Sequence, residues 1–192
     1  RGFRWTQGSG MTQLNGVFNG TVFVDGVSNS GRMVGQSPGL FGNGLATYWN
    51  PNGSVGGSLG DFPGGAADSR ALGVSADGNV IVGFGTDASG PRAFRWTSSS
   101  GLQDLGIANG FAYAISGDGT TIVGTGANGP GTLPFRWRDG VMISLGNLTG
   151  GGNLGGARAV STDGAVVVGF SANATDIDEA FRWTAESGMV GL

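Results

Sequence analysis

Hydrophobic and polar residues follow a pattern that recurs several times along the chain. Each copy has a short apolar run, a polar turn and a second run rich in β-branched residues. The three best copies read Gly73-Val-Ser-Ala-Asp-Gly-Asn-Val-Ile-Val-Gly83, Ala114-Ile-Ser-Gly-Asp-Gly-Thr-Thr-Ile-Val-Gly124 and Ala159-Val-Ser-Thr-Asp-Gly-Ala-Val-Val-Val-Gly169. Asp-Gly between two apolar runs is a strong hairpin signal, because glycine readily adopts the positive φ that such turns need. The pattern therefore predicts β-hairpins with Asp77, Asp118 and Asp163 in their turns.

A second motif contains all five tryptophans of the chain. Phe-Arg-Trp occurs four times, ending at Trp5, Trp96, Trp137 and Trp183, and a degraded copy, Thr-Tyr-Trp, ends at Trp49. The tryptophans recur at roughly 40–50 residues, a period typical of propellers and solenoids. A short segment ending in Leu-Gly or a close variant follows the later copies. Each complete repeat therefore predicts four strands.

Four strands per repeat, without helical periodicity, are typical of a propeller blade. We predict an all-β fold, a β-propeller of about five four-stranded antiparallel blades, with the first blade incomplete. The half unit covers 1–20, and the full units cover 21–69, 70–110, 111–156 and 157–192. The Val-Ser run is expected as the inner strand, followed outwards by the Val-Val-Gly run, Phe-Arg-Trp and the Leu-Gly segment. We expect four glycines to end the second strand, or to mark a close approach of another backbone: Gly35, Gly83, Gly124 and Gly169.

The first unit supplies only the outer two strands of a blade. Three interpretations remain open: a ring with one thin blade, a fragment of a larger ring, or a subunit whose gap is filled by another chain. An unpaired half-blade exposes strand edges, which proteins usually cover. The need to cover these edges supports the third interpretation.

The composition limits the classes of function. Glycine is abundant, at 42 residues, but five Trp and eleven Phe indicate a packed core rather than a disordered chain. The net charge of −3 disfavours binding to nucleic acid or to an anionic membrane surface. No apolar run approaches the roughly 18 residues of a membrane helix, so membrane insertion is not expected. The chain has no His and no Cys, and therefore lacks the usual general base and thiol nucleophile.

Taken in order, the motifs resemble the HAF repeat family of bacterial extracellular proteins. The shared pattern is Val-Ser-x-Asp-Gly-x-x-Val-Val-Gly, then Ala-Phe-Arg-Trp-Thr, then Gly-Met-x-x-Leu-Gly, and the best matches of its middle part are Ala93-Phe-Arg-Trp-Thr97 and Ala180-Phe-Arg-Trp-Thr184. The resemblance covers essentially the whole chain. The second unit departs most, because its turn lacks Asp and Tyr48 replaces Arg. The resemblance implies export, a β-rich repeat fold and no established catalytic activity, and it carries over no catalytic residues.

The repeated side chains have functional and structural interpretations. The arginines Arg4, Arg95, Arg136 and Arg182 could form a ring that binds anions or sugars, but hydrogen bonds that tie neighbouring blades explain them more simply. The tryptophans could stack on sugars, but core positions between blades explain their register. Asp77, Asp118 and Asp163 could bind calcium, but Asp also hydrogen-bonds to its own turn backbone. We favour the structural interpretation for all three sets.

The acidic residues Asp176, Asp178 and Glu179 form the one dense acidic group. Carboxylates at alternating positions could hold Ca²⁺, although the spacing does not fit an EF-hand. A solvated loop is the favoured interpretation, and no other cofactor is expected.

These observations favour a non-enzymatic, extracellular bacterial module with a structural or adhesive role. We expect it to self-associate as a subunit of a surface layer or filament, through strand-edge complementation. The first alternative is a glycan-binding, lectin-like propeller that uses inter-blade grooves or the variable loops 36–44, 84–92, 125–133 and 170–179. A propeller hydrolase with a carboxylate pair comes third.

Overall fold

The structure, a computed structural model, describes residues 1–40, 42–128 and 131–192. In these residues the chain forms 18 β-strands. The first sheet, called the half-blade, contains β1 (Phe3–Thr6) and β2 (Gly10–Gln13). Blade 2 contains β3 (Phe23–Val27), β4 (Met33–Pro38), β5 (Gly44–Trp49) and β6 (Val55–Gly60). Blade 3 contains β7 (Arg70–Val74), β8 (Val80–Asp87), β9 (Gly90–Thr97) and β10 (Gly101–Ala108). Blade 4 contains β11 (Phe111–Ile115), β12 (Thr121–Asn128), β13 (Gly131–Arg138) and β14 (Val141–Ser144). Blade 5 contains β15 (Gly155–Val160), β16 (Val167–Ala172), β17 (Asp178–Thr184) and β18 (Gly188–Gly191).

Each blade is an antiparallel meander whose strands lie in sequence order. This arrangement confirms the predicted four-stranded antiparallel blades and the incomplete first blade, since β1 and β2 form a two-stranded sheet. In every full blade the Val-Ser run, the Val-Val-Gly run and the Phe-Arg-Trp motif, or its degraded copy, lie on the first, second and third strands. β15 begins at Gly155, just before the predicted boundary between units 111–156 and 157–192.

The four repeated glycines lie within the second strand of each blade, so the expectation that they end that strand is wrong. β8, for example, continues past Gly83 to Asp87. A Cβ at Gly83 would lie 2.0 Å from the carbonyl oxygen of Arg70 on the neighbouring strand. The close approach of another backbone, the second expectation for these positions, is therefore the reason for glycine.

The variable loops expected at 84–92 and 125–133 are mostly strand. β8 and β9 pair as far as Asp87 and Gly90, so their connection is a tight hairpin. β12 and β13 extend in the same way, while Gly129 and Pro130 of the predicted loop lie outside the described residues. In the predicted loop 36–44, β4 runs to Pro38, and Phe41 lies outside the described residues.

The core lies between the blades, and each blade presents a different face to each neighbour. On β9, Phe94 faces blade 2 and packs in a buried cluster with Val34. Ala93 and Val82 face blade 4 and pack in a second buried cluster with Phe135. Because side chains alternate along a strand, Trp96 lies on the face of Phe94, and Arg95 lies on the opposite face. We call the first the aromatic face and the second the arginine face.

Candidate functional site

The Asp-Gly turns satisfy their own polar groups. In blade 3 the hydroxyl of Ser75 donates to Asp77 Oδ1 at 2.6 Å and accepts the N–H of Val80 at 3.0 Å. Asp77 Oδ1 also accepts the N–H of Asn79 at 2.9 Å, and Gly78 has a φ of 81°. The turns of blades 4 and 5 repeat this arrangement, with Ser116 bonded to Asp118 and Ser161 bonded to Asp163. Oδ1 of each carboxylate is therefore engaged by its turn, and in blade 3 Oδ2 of Asp77 also accepts a hydrogen bond from Asn79 Nδ2 at 2.7 Å.

Successive turns are joined to one another at the same end of the array. Ser30 N–H donates to Ala76 O at 3.3 Å, and Ala76 N–H donates to Gly117 O at 3.0 Å. Asp118 N–H donates to Thr162 O at 3.3 Å. These bonds link the turns of blades 2 to 5 in order and hold neighbouring blades in register.

Because of the carboxylates in these turns, we expect the free energy of unfolding to fall in acid. Hydrogen bonds from the serine hydroxyl, and then from the backbone, lower the pKa of Asp77, Asp118 and Asp163 below the ordinary carboxyl value. A lowered folded-state pKa gives stability that is present above the ordinary pKa and is lost as the pH falls through the folded value. The urea midpoint should therefore fall between about pH 5 and about pH 3. A triple Asp→Asn variant keeps an acceptor but cannot titrate there, so its midpoint should fall less, and equal losses would contradict the role of these three residues.

The acidic loop of blade 5 is organised by an asparagine. Asn173 Oδ1 accepts the N–H of Thr175 at 3.0 Å and that of Ile177 at 3.2 Å, and its Nδ2 donates to Glu179 Oε2 at 3.0 Å. Asp176 has a φ of 56° in this loop, and Asp178 begins β17. Among the described residues, no group of three or more His, Cys, Asp or Glu side chains lies close enough to hold a metal ion. The structure thus does not bring Asp176, Asp178 and Glu179 together as a set of ligands.

The four repeated arginines have different partners, although all four lie on arginine faces. Arg4 Nη1 donates to the carbonyl oxygen of Pro51 in blade 2. Arg95 Nη1 donates to Gln103 Oε1 at 3.3 Å in its own blade. The guanidinium carbon of Arg136 lies 5.8 Å from the ring centre of Trp183 in blade 5. Arg182 is exposed.

All five tryptophans lie on aromatic faces, and the tryptophan of the half-blade is more exposed than the other four. Trp49 and Trp183 are buried, and Trp96 and Trp137 are partly buried against the clusters between blades. Trp5 is 63% exposed. The same motif therefore gives a core residue in the full blades and a surface residue in the half-blade.

The half-blade presents an uncovered aromatic face. Phe3 is 53% exposed and Met11 is 67% exposed, and Met11 is the register partner of Trp5 on β2. On its other side the half-blade is anchored to blade 2, where Leu14 packs with Trp49 and Trp49 Nε1 donates to Asn15 O at 2.6 Å. The aromatic face, which is directed away from blade 2, is open.

Blade 5 presents an uncovered arginine face at the other end of the array. Arg182 pairs in register with Val168 on β16 and with Val190 on β18, so the three side chains lie side by side. Val168 is 38% exposed and Val190 is 51% exposed. The residues equivalent to Val168 in the other full blades, Val34, Val82 and Val123, are all 0% exposed because the next blade covers them. The two ends of the array thus form the candidate functional site.

Among the described residues, a groove beside blade 5 corresponds best to the inter-blade grooves in which the sequence predicts glycan binding. It has a volume of about 610 Å³ and is open to solvent. Its lining includes Arg136, Arg138, Trp183 and Glu186. It adjoins the open arginine face, since Arg182 also lines it.

Asp61 is a partly buried hydrogen-bond acceptor that was not predicted from the sequence. It lies between blades 2 and 3, where its Oδ1 accepts the N–H of Thr86 at 2.6 Å and its Oδ2 accepts that of Asp68 at 2.7 Å. Burial raises the pKa of Asp61, against the effect of these backbone donors. Its contacts tie the linker between blades to the β8–β9 hairpin. The Asp falls outside both repeat motifs, so no recurring signal marks it.

Comparisons with known proteins identify the fold. The structure is similar to that of a putative TolB from Agrobacterium tumefaciens, with a TM-score of 0.69 and 16% identity over 98% of this chain and 72% of that one. It is also similar to TolB from Acinetobacter baumannii, with a TM-score of 0.66 and 13% identity over 89% of this chain and 43% of that one. An oligogalacturonate lyase in complex with manganese gives a TM-score of 0.54 and 11% identity over 86% of this chain and 50% of that one. The chain therefore has a β-propeller fold, as predicted, and spans less than half of the Acinetobacter protein.

The sequence itself matches neither a protein-family model nor a curated protein. In the described part of the chain, no helix has the length and apolar character needed to cross a membrane.

Proposed function

We propose that this β-propeller chain is a non-enzymatic structural or adhesive module of a bacterial cell surface, and that it self-assembles as a subunit of a surface layer or filament. The observation that carries the proposal is the half-blade, which has both an exposed apolar face and a free strand edge. Phe3 and Trp5 are more than half exposed there. Large apolar side chains exposed together mark an interaction surface in soluble proteins.

The free edge of β1 follows from its hydrogen-bond pattern. Leu14 N–H donates to Gly2 O at 3.0 Å, which makes Gly2 and Leu14 a hydrogen-bonded pair of the half-blade. In an antiparallel ladder such pairs alternate with non-bonded pairs, so the main-chain groups of Phe3 and Trp5 point away from β2. In blade 3 the equivalent residues, Phe94 and Trp96, pair with β8. A strand from a partner chain could therefore add to β1 in the same way.

The remaining parts of the proposal rest on composition and on the resemblance to HAF repeats. The chain has no His and no Cys, and its three repeated Asp residues bond to their own turns. This residue set supports a non-enzymatic role. The resemblance to HAF repeats supports export and a location outside the bacterial cell.

Proline at position 3 tests strand addition. Phe3→Pro removes an N–H that points to the free edge, while the bonds between β1 and β2 remain. We expect electron microscopy to show filaments or sheets of the unmodified chain and isolated particles of the variant. The matched control is Phe3→Thr, because Thr47 occupies this position in blade 2 and threonine keeps the N–H. Assembly by Phe3→Pro at the wild-type level, or an unmodified chain that forms isolated particles only, would contradict strand addition.

A further inference from the structure

The outer strand of blade 4, β14, has apolar side chains that are exposed on both of its faces. Val141 is 63% exposed, Met142 is 47% exposed and Ile143 is 39% exposed. The outer edge of a blade points away from both neighbouring blades, so this exposure does not depend on how many blades the ring contains. An uncharged apolar strand at the edge of a sheet is a site of association unless something protects it.

The outer strands of blades 2 and 3 carry protection that β14 lacks. In blade 3, Asp104 occupies the position of Ser144 and forms an ion pair with Arg92. In blade 2 the register between β5 and β6 shifts at two places, and such bulges make an edge unsuitable for pairing with another strand. β14 pairs with β13 without a shift and contains no charged residue. In the described part of the chain, no strand pairs with its outer edge.

Two residues of β14 direct their main-chain groups to this edge. Leu145 N–H donates to Pro134 O at 2.9 Å, which makes Leu145 and Pro134 a hydrogen-bonded pair of the β13–β14 ladder. Bonded and non-bonded pairs alternate in an antiparallel ladder, so Ile143 is also bonded to β13. The N–H and C=O groups of Met142 and Ser144 therefore point outwards, and these two residues lie symmetrically about Ile143.

We infer that β14 pairs with β14 of a second copy, antiparallel and about a two-fold axis that passes between the two Ile143 residues. This inference rests on the proposed self-assembly and adds a second contact to it. In this register Met142 of each copy lies opposite Ser144 of the other, and each of these pairs exchanges two main-chain hydrogen bonds. The blade 4 sheets of the two copies then form one continuous sheet. The contact is isologous, because the same strand serves both copies.

A small apolar hollow beside Ser144 gives this pairing a place for a side chain. The hollow has a volume of about 80 Å³ and lies between blades 3 and 4, where its lining includes Ile107, Leu133 and Phe135. Ser144 and Met142 line it as well. In the pair, Met142 of the second copy lies directly opposite Ser144 and within reach of the hollow. The unbranched side chain of methionine is suited to such irregular apolar spaces.

A charge exchange at Ile143 tests the two-fold contact. The two Ile143 residues lie opposite each other, and each has Arg136 as its register partner on β13. In Ile143→Lys, two added cations and two Arg136 guanidinium groups would meet at the axis, so the association constant of the dimer should fall at least about 30-fold. Ile143→Asp supplies the opposite charge, and an equimolar mixture of the two variants should form a heterodimer.

These variants are made in a Phe3→Pro parent, in which strand addition at β1 is removed. We expect the parent to form dimers through β14. Sedimentation velocity is measured up to about 1 mM, where a contact of this small size becomes populated. The matched control is Gln103→Lys in the same parent, because Gln103 is exposed and occupies the position of Ile143 in blade 3. It should dimerise like the parent.

Three results would overturn the inference: a parent that stays monomeric, an Ile143→Lys variant that dimerises like the parent, or a mixture without heterodimers. If any of these occurred while the unmodified chain still assembled, the proposed function would stand through β1 alone. A parent that dimerises, together with an unmodified chain that forms nothing larger than dimers, would support the β14 contact and contradict strand addition at β1.

Discussion

Replacement of Gly83 by alanine will lower the free energy of unfolding by about 3 kcal/mol or more, although only one methyl group is added. The added Cβ would lie 2.0 Å from the carbonyl oxygen of Arg70 and 3.0 Å from the Cα of Ala71. Both atoms belong to the backbone of β7, which cannot move aside without breaking its pairing with β8. That pairing also positions Val82 in the core between blades 3 and 4. We therefore expect the substitution to weaken the packing between these two blades as well.

Gly8 is the matched control for this substitution. It lies in the turn between β1 and β2, and a Cβ there would meet no atom within 4 Å. Gly8→Ala should therefore change the free energy of unfolding by less than about 0.5 kcal/mol. Urea unfolding followed by tryptophan fluorescence measures both variants. Similar midpoints for the two would show that β7 yields to the extra methyl group.

The cause of the close contact at Gly83 is a β-bulge in the inner strand. The register between β7 and β8 shifts between Ala71 and Gly73, and the inner strands of blades 2, 4 and 5 shift at the equivalent place. An extra residue in one strand bends it and increases the local twist. The glycine of the second strand lies opposite this bulge in every full blade, which explains why glycine recurs there.

Prediction from sequence worked where local chemistry decides the structure. The turn at Asp77 and Gly78 is determined by residues within six positions of one another, and it was predicted with its hydrogen-bonding role. The order of strands followed from the repeat itself. The incomplete half-blade followed from counting motifs, so one end of the candidate site was visible in the sequence.

The other end of the site was not visible, because exposure depends on neighbours that a repeat motif does not describe. Arg182 and Val168 lie in good copies of their motifs, yet the absence of a blade against them in this structure places them on the surface. The bulge opposite Gly83 was missed for a related reason, since a glycine within a strand and one at its end have the same sequence signal. Asp61 belongs to neither repeated motif, and its position depends on contacts with residues such as Thr86, which is distant in sequence.

A comparison of two tryptophans in equivalent positions tests how far neighbouring blades, rather than the motif, determine stability. Trp49→Ala should lower the free energy of unfolding by about 3–5 kcal/mol, as for other buried aromatic truncations. Trp49 is 0% exposed and packs with Leu14 and Met33, and its indole N–H holds Asn15 of the half-blade segment. The substitution should therefore also release the half-blade from blade 2.

Trp5→Ala is the control, with an expected change below about 1 kcal/mol, because Trp5 is mostly exposed in the monomer. Both variants are measured by urea unfolding at concentrations below those at which the chain associates, so that assembly does not contribute. Limited proteolysis between residues 14 and 22 should be faster in Trp49→Ala alone, because Leu14 and Val22 pack with Trp49. Equal destabilisation of the two variants would mean that Trp5 is covered in the folded monomer, and the aromatic face would then not be free to receive a partner.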